Sequence, residues 1–580
     1  MNRILLVALP LLVAVLAGCA QSPHKAAAVV DAKAKASAAK PQERPRQPPL
    51  PDQALTSETL YRLLLGEIAG QRGRLDVASQ AYLEMAKSTK DPRIAQRATE
   101  IALFARAQDQ ALESAKIWLA ADPGSVRAQQ AVTALLVNAN KLEEAKPYLE
   151  TLLREEKENV GQAFLQLSGL LSRANDKKAA LRLVQDLAQP HPGIAEAHIA
   201  VAQAAMAADE IDLAAKEAAQ ATKLRPDWEL AVLVQGQALQ RRSNAEALAY
   251  WKSYLEQNPQ AKDVRLNYAR LLVTDHNYEA ARKEFERLGK DFPQNPDVTM
   301  AVALLAIQLK DYDAAEQALK RALAQNPKDG DTVRLYLGQV DEERKRYDDA
   351  KRWYTEVGRG DQYIPAQVRY AGVVAKEGDL PGARRYLQQL PAQNNQQRVQ
   401  LIQAEAQLLR DQNQHQEAYD LLGKSLEKLP NYPDLLYDYA MVAEKVNRID
   451  VLETNLKKLI VIKPDHAHAY NALGYTLADR TERLKEAEEY IDKALKLSPD
   501  DPFILDSKGW VLYRQGQSKE ALVYLRKAFS ERPDPEIAAH LGEVLWAQGQ
   551  KGEAEKVWRQ ALDDNPDNEA LRTTVKRFLP

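Results

Sequence analysis

The sequence predicts an all-α fold, a row of about fifteen helix pairs closed by one further helix. Alanine, leucine, glutamine, glutamate and arginine dominate the 580 residues, and all five favour helices. Alanine also recurs twelve residues before proline along much of the chain. Pro226, Pro259, Pro293 and Pro327 follow one another at intervals of 33, 34 and 34 residues. A fixed period of this length indicates an array of repeated structural units.

The alanine–proline spacing has a physical reason in helix packing. It occurs at Ala111 and Pro123, Ala214 and Pro226, Ala247 and Pro259, Ala281 and Pro293, Ala315 and Pro327, Ala418 and Pro430, Ala487 and Pro499, Ala521 and Pro533, and Ala554 and Pro566. Small residues let two antiparallel helices approach closely, and a larger residue one turn later, such as Trp251, Phe285 or Trp558, fills the gap. Proline then ends the pair because it cannot donate a backbone hydrogen bond. Asp501-Pro502 and Asp534-Pro535 suit the next helix start, with aspartate as N-cap.

The motif within one period resembles the tetratricopeptide (TPR) repeat. One period reads Tyr470, Leu473, Gly474, Leu477, Ala487, Ile491 and Pro499. The resemblance implies a right-handed superhelical solenoid over residues 56–566, followed by a capping helix over residues 567–580. The match weakens toward the N-terminus, where Gly66, Ala78 and Tyr82 fit but residues 129–192 fit only loosely.

The N-terminus contains a targeting signal. An apolar run from Ile4 to Ala17 follows Arg3 and is too short to span a bilayer, but it has the length of a signal-peptide core. It ends in Leu16-Ala17-Gly18-Cys19, with the only cysteine of the chain. This tetrapeptide resembles the lipobox of bacterial lipoproteins. That resemblance implies removal of residues 1–18 and acyl chains on Cys19; the alternative is an ordinary signal peptide with a chance cysteine.

Residues 19–55 predict a lipid-anchored, disordered tether. The segment is rich in alanine, lysine, proline and glutamine, and it has too few large apolar residues to offset the entropy of ordering. In the lipoprotein family, aspartate after the acylated cysteine favours retention in the inner membrane. Ala20 stands there, which implies the periplasmic face of the outer membrane. The tether either lets the folded part move away from the membrane or serves only to attach it.

Composition and motifs exclude several classes of function. Lys plus Arg is 79 and Asp plus Glu is 81, so no basic surface for a nucleic acid is indicated. The sequence has no HExxH, Walker loop or GxSxG motif, and a CxxC motif needs two cysteines. His466 and His468 are two residues apart, so they point to different sides of a helix. We therefore expect no enzyme activity, metal, cofactor or small-molecule substrate.

By the register of the TPR motif, six residues are candidates for binding a partner in the concave groove. They are Asn267, Arg270, Met300, Leu304, Tyr336 and Gln339. The alternative is that they are ordinary lining of a helical array and bind no specific ligand. The sequence does not contain the Lys/Asn/Arg set of chaperone-binding TPR proteins in register.

The whole chain resembles the large TPR outer-membrane lipoproteins of pseudomonads. Members of that group act as adaptors for a periplasmic carboxyl-terminal processing protease, a serine protease that destroys peptidoglycan hydrolases. The resemblance implies that the chain binds both the protease and its protein substrates. One alternative is an assembly or secretion lipoprotein that binds a fixed pilus or exopolysaccharide complex. The other is a cell-wall enzyme or its direct activator, for which we find no catalytic constellation.

Overall fold

The computed structural model describes residues 50–51, 54–155, 159–325 and 327–579. Within these residues the chain forms 31 α-helices and no strand. The chain divides into two compact units, an N-terminal unit of residues 1–327 and a C-terminal unit of residues 328–580. The predicted signal peptide, Cys19 and nearly all of the tether lie outside the described residues, so these predictions remain predictions.

The N-terminal unit contains sixteen helices, which form eight successive pairs. They are α1 Ser57–Gln71, α2 Leu75–Thr89, α3 Pro92–Phe104, α4 Gln108–Ala121, α5 Val126–Asn138, α6 Leu142–Glu155, α7 Val160–Leu171, α8 Lys177–Ala188, α9 Ala195–Ala207, α10 Ile211–Leu224, α11 Glu229–Arg242, α12 Asn244–Gln257, α13 Lys262–Thr274, α14 Tyr278–Asp291, α15 Pro296–Gln308 and α16 Tyr312–Ala324.

The C-terminal unit contains seven further pairs and a single last helix. They are α17 Gly330–Glu343, α18 Tyr347–Thr355, α19 Tyr363–Lys376, α20 Leu380–Gln389, α21 Asn395–Asp411, α22 His415–Lys428, α23 Pro433–Lys445, α24 Ile449–Ile462, α25 Ala467–Arg480, α26 Leu484–Leu497, α27 Pro502–Arg514, α28 Ser518–Glu531, α29 Pro535–Ala547, α30 Lys551–Asp564 and α31 Glu569–Phe578. The prediction of an all-α fold with about fifteen helix pairs and a terminal helix is confirmed.

The periodic small residues hold the helices of each pair together, as the sequence predicts. All nine periodic alanines have no exposed surface. A Cβ atom added to Gly474 on α25 would lie 2.7 Å from the carbonyl oxygen of Ala487 on α26, because the two backbones are in close contact. The residue one turn after the alanine fills the remaining space, and Trp251, Phe285 and Trp558 are buried.

Helix starts and turns also follow the predicted chemistry. Asp501 accepts a hydrogen bond from the backbone N–H of Phe503 at 2.9 Å, and Asp534 accepts one from Glu536 at 2.9 Å. In both cases proline occupies the first turn. The turns within pairs need a left-handed backbone, which Gly378 and Gly516 supply with φ of +97° and +83°.

The last helix covers the end of the array. Phe578 of α31 stacks on Trp558 with ring centroids 5.4 Å apart, and Leu571 is fully buried. The opposite side of α31 carries exposed Arg572 and Lys576. Among the described residues, no helix combines the length and apolar character that a membrane crossing requires.

Candidate partner-binding surfaces

The first helices of successive pairs form one face of each unit, here called the first-helix face. The six predicted groove residues lie on α13, α15 and α17, and Tyr336 and Gln339 belong to the C-terminal unit. Met300, Leu304 and Tyr336 are buried, with Leu304 only 1% exposed. Asn267, Arg270 and Gln339 are half-buried. Partner binding by this set stays a prediction, and only the half-buried residues offer surface to a partner.

The two polar side chains of the set on α13 differ in their surroundings. Asn267 Nδ2 donates to the carbonyl oxygen of Asp263 at 2.9 Å, an intrahelical contact. The Nε and Nη2 atoms of Arg270 are buried and have no hydrogen-bond partner within the described part of the chain. Arg270 therefore retains hydrogen-bonding capacity, whereas Asn267 satisfies part of its own.

In the C-terminal unit, an ion cluster around the buried Glu342 joins the first helices of two pairs. The Glu342 carboxylate of α17 accepts hydrogen bonds from Lys376 Nζ at 2.7 Å and from Arg369 Nη1 at 3.3 Å, both on α19. The Tyr354 hydroxyl donates to it at 2.7 Å. Burial opposes ionisation of Glu342, but Arg369, Lys376 and Tyr354 outweigh burial and lower the pKa of this carboxyl. The carboxylate and the two cations pair with one another, and they connect α17 to α19 on the first-helix face.

A second cluster spans three first helices near the C-terminus. His540 of α29 places Nδ1 2.9 Å from Asp506 Oδ2 on α27, and its Nε2 lies 3.4 Å from the Tyr475 hydroxyl on α25. The imidazole stacks on Trp510 with centroids 4.3 Å apart. Burial opposes protonation of His540, but Asp506, with Glu536, outweighs it and raises the pKa of the imidazole. The cluster fixes α25, α27 and α29 relative to one another.

An exposed apolar surface lies on α1. Five large apolar side chains of this helix are exposed, and Leu63 is one of them. The other four share one side of the helix: Leu60, Tyr61, Leu64 and Ile68. We call these four residues the α1 surface. Leu64 is 50% exposed and Ile68 48% exposed. The other side of α1 packs normally, since Gly66 and Ala69 are buried.

A cleft between α1 and α3 accompanies the α1 surface. It has a volume of about 430 Å³ and is lined by Gly66, Gly70, Ile101 and Phe104, among others. The Phe104 side chain is 78% exposed. Clustered exposed apolar side chains mark binding surfaces in soluble proteins. The first two described helix pairs therefore offer both an exposed apolar face and a cleft to a partner.

The α1 surface and the His540 cluster are not among the features predicted from the sequence. For α1 a signal exists, because Leu60, Leu64 and Ile68 are spaced by four residues and so share one helix face. The same spacing also describes a buried face, so it does not by itself predict exposure. The His540 cluster joins residues 34 and 65 positions apart, for which the sequence holds no local signal.

Within the described ranges, no three His, Cys, Asp or Glu side chains come together in a way that could hold a metal ion. The polar clusters described above are ion pairs between helices. A stack of helix pairs that exposes apolar and polar side chains is typical of helical-repeat scaffold proteins, which bind other proteins.

Comparison with known proteins agrees with this class. One family model described as tetratricopeptide repeat matches residues 238–305, 306–362 and 512–577. A second model with the same description matches residues 467–501. The TPR repeat-containing protein PA4667 of Pseudomonas aeruginosa is 35% identical over 488 residues, which cover 84% of this chain and 82% of that protein. This chain belongs to the tetratricopeptide repeat family.

Two solved structures also resemble parts of the chain. The TPR protein TTC0263 of Thermus thermophilus is 24% identical and has a TM-score of 0.28, covering 30% of this chain and 96% of its own. A tetratricopeptide repeat protein of Parabacteroides merdae is 14% identical with a TM-score of 0.31, covering 48% of this chain and 97% of its own.

Proposed function

We propose that this protein is a lipid-anchored periplasmic adaptor. In this proposal the Cys19 acyl chains hold it at the periplasmic face of the outer membrane, and the helix pairs bind a carboxyl-terminal processing protease together with cell-wall hydrolases. Binding both partners on one chain raises their effective concentration toward each other. The observation that carries the proposal is the apolar α1 surface, which we assign to the protease.

The two ends of the helical array support this assignment. A terminal repeat has no neighbour on its outer side, so it normally presents a polar face to water. The last helix, α31, follows this rule with exposed Arg572 and Lys576. The first helix of the described residues, α1, departs from it with the exposed side chains of Leu64 and Ile68. Apolar side chains on the outer side of a terminal repeat, where polar side chains are expected, indicate that a protein partner covers them.

Covering the α1 surface would contribute to association with a partner. Fully burying a leucine-sized side chain contributes about 1.5–3 kcal/mol, so covering one that is half exposed contributes about 1 kcal/mol. Four such side chains supply about 4 kcal/mol toward association. Replacing Leu64 by aspartate removes one contribution and places a carboxylate in the contact, so the double variant Leu64→Asp/Ile68→Asp is expected to weaken binding at least about 100-fold.

The test is an in-cell crosslink and affinity capture of the lipidated full-length protein, read by mass spectrometry. The wild type is expected to capture a periplasmic serine protease and cell-wall hydrolases. The double α1 variant is expected to lose the protease. The matched control is Val523→Asp on α28, because Val523 is 68% exposed but has no comparable apolar neighbours on its helix face, and it should capture as the wild type does.

One result would refute the adaptor function, and another would refute the assignment of the protease to the α1 surface. Capture dominated by secretin, pilus or polysaccharide-export subunits would replace it with the assembly-factor function. Unchanged capture of the protease by the α1 variant would remove the assignment of this surface. As a second readout, deletion of the gene should lengthen the lifetime of the captured hydrolases, and an unchanged lifetime would contradict presentation to a protease.

A further inference from the structure

A pocket without charged walls lies between α5, α6 and α7 of the N-terminal unit. Its volume is about 360 Å³, within the range of about 300–1,000 Å³ that is typical of ligand sites. Leu152, Leu167 and Leu170 supply apolar wall. None of the ten residues that line the pocket has a charged side chain. A charged ligand group would lose hydration there without gaining an opposite charge, so the pocket favours an uncharged ligand.

A proline interrupts α6 beside this pocket. Pro147 lies inside the helix, beyond its first turn, where proline removes a helical hydrogen bond and favours a bend. Every other proline in the described helices stands within the first turn, where its missing N–H has no helical partner. Tyr148 follows Pro147 and lines the pocket together with Leu152. Both side chains are only half-buried, so they offer surface to a ligand.

Two polar residues of the pocket form hydrogen bonds within the fold. Gln129 Nε2 donates to the carbonyl oxygen of Tyr148 at 3.4 Å, which links α5 to α6. The Thr133 hydroxyl donates to the carbonyl oxygen of Gln129 at 2.7 Å, within α5. These bonds use the donors of both side chains, so other groups of the pocket must supply most of the hydrogen bonds to a ligand.

Three further polar groups of the pocket can bind a ligand. They are the carboxamides of Gln130 on α5 and Gln166 on α7, and the hydroxyl of Tyr148 on α6. Within the described part of the chain, none of the three has a hydrogen-bond partner. Each both donates and accepts hydrogen bonds. A peptide group likewise offers one donor and one acceptor, so these neutral groups on three helices match the backbone of a bound chain.

We propose that this pocket binds an extended, uncharged segment of a protein substrate, with one leucine side chain of that segment inside the pocket. The leucine contacts Leu152 and Leu170, and the peptide groups on either side of it form hydrogen bonds with Gln130 and Gln166. A protease cleaves an extended chain, so an adaptor needs a site that holds a substrate in this form. The assignment to a substrate rests on the adaptor function proposed above, whereas the binding of a peptide tests the pocket by itself.

The test is fluorescence polarisation with the purified full-length protein and three labelled peptides that are capped at both ends. The first peptide has serine and alanine on both sides of a central leucine. The second has glutamate in place of the leucine. The third keeps the leucine but carries N-methyl groups on the two peptide groups beside it. The first peptide is expected to bind at least about tenfold more tightly than either of the others, because the second is charged and the third lacks two N–H donors.

Substitutions of glutamine locate the site. Gln130→Leu/Gln166→Leu nearly keeps the size of both side chains but removes their donors and acceptors, so it should weaken the first peptide at least about tenfold. In this double variant, N-methylation should change the affinity by less than about twofold, because the groups that bind the peptide N–H are gone. The matched control is Gln162→Leu, one turn earlier on α7, since Gln162 is exposed and does not line the pocket. It should bind the first peptide as the wild type does, and circular dichroism checks the helical content of each variant.

Several outcomes would overturn the proposal. Equal binding of the first peptide by the wild type and the double variant would show that it binds elsewhere. Equal affinity of the wild type for the first and third peptides would remove the backbone contacts, and equal affinity for the first and second would remove the preference for an uncharged segment. Binding of dodecanoate, with no peptide bound, would make the site an acyl-chain pocket.

Failure of this pocket is distinguishable from failure of the adaptor function. The double glutamine variant leaves α1 intact, so it should still capture the protease. Capture of the protease and the hydrolases by the wild type, with none of the peptides bound, would refute the role of the pocket and leave the adaptor function in place. Binding of the first peptide without capture of a protease would do the reverse, because the pocket would hold an extended chain in a protein that is not a protease adaptor.

Discussion

The close approach of paired helices predicts opposite effects for one substitution at two glycines. In Gly474→Ala the new methyl group would lie 2.7 Å from the carbonyl oxygen of Ala487 and 2.6 Å from Ile491 Cγ1. A backbone oxygen cannot turn aside, so α25 and α26 must separate. Overpacking of this kind costs about 1–3 kcal/mol, and we take about 3 because backbone is involved. The gain in helix propensity, about 1 kcal/mol, leaves a net loss of about 2 kcal/mol.

Gly169→Ala supplies the matched control, because the same methyl group enters open space there. It should stabilise its helix by about 1 kcal/mol, so the two variants differ by about 3 kcal/mol. Urea denaturation followed by circular dichroism gives the midpoint and slope of each variant. Since an array of repeats need not unfold in one step, hydrogen exchange should locate the loss in α25 and α26. A shift of both midpoints in the same direction would refute the packing argument.

Three further substitutions test single contacts. Glu342→Gln should destabilise the C-terminal unit by about 2 kcal/mol in urea denaturation, because it removes charge-assisted hydrogen bonds; no change would mean the cluster is dispensable. His540 has a raised pKa, so its pairing with Asp506 should stabilise fully below about pH 6.5 and be lost as the pH rises through that raised value. Hydrogen exchange of α29, corrected for intrinsic rates, should show this pH dependence in the wild type and not in His540→Asn. Trp558→Ala should cost about 3–5 kcal/mol and release α31 to exchange, and continued protection of α31 would contradict its contact with that ring.

The fold was predictable from the sequence because its determinants are local and repeated. A small residue at Ala487, a large one at Ile491 and a proline at Pro499 specify one helix pair, and the same order recurs along the chain. Each further copy makes the interpretation more secure. The pattern is weakest over residues 129–192, where the structure nevertheless forms α5 to α8. Packing against neighbouring helices supports these pairs where their own motif is poor.

The candidate surfaces were harder to predict because exposure is not a local property. Leu64 and Leu304 are the same residue type on helices of similar pattern, yet one is half exposed and the other buried. The difference in exposure depends on whether another helix packs against the side of the helix that carries the residue. The register that selected Leu304 and Met300 describes a side of the helix, but it does not describe how far neighbouring side chains cover that side.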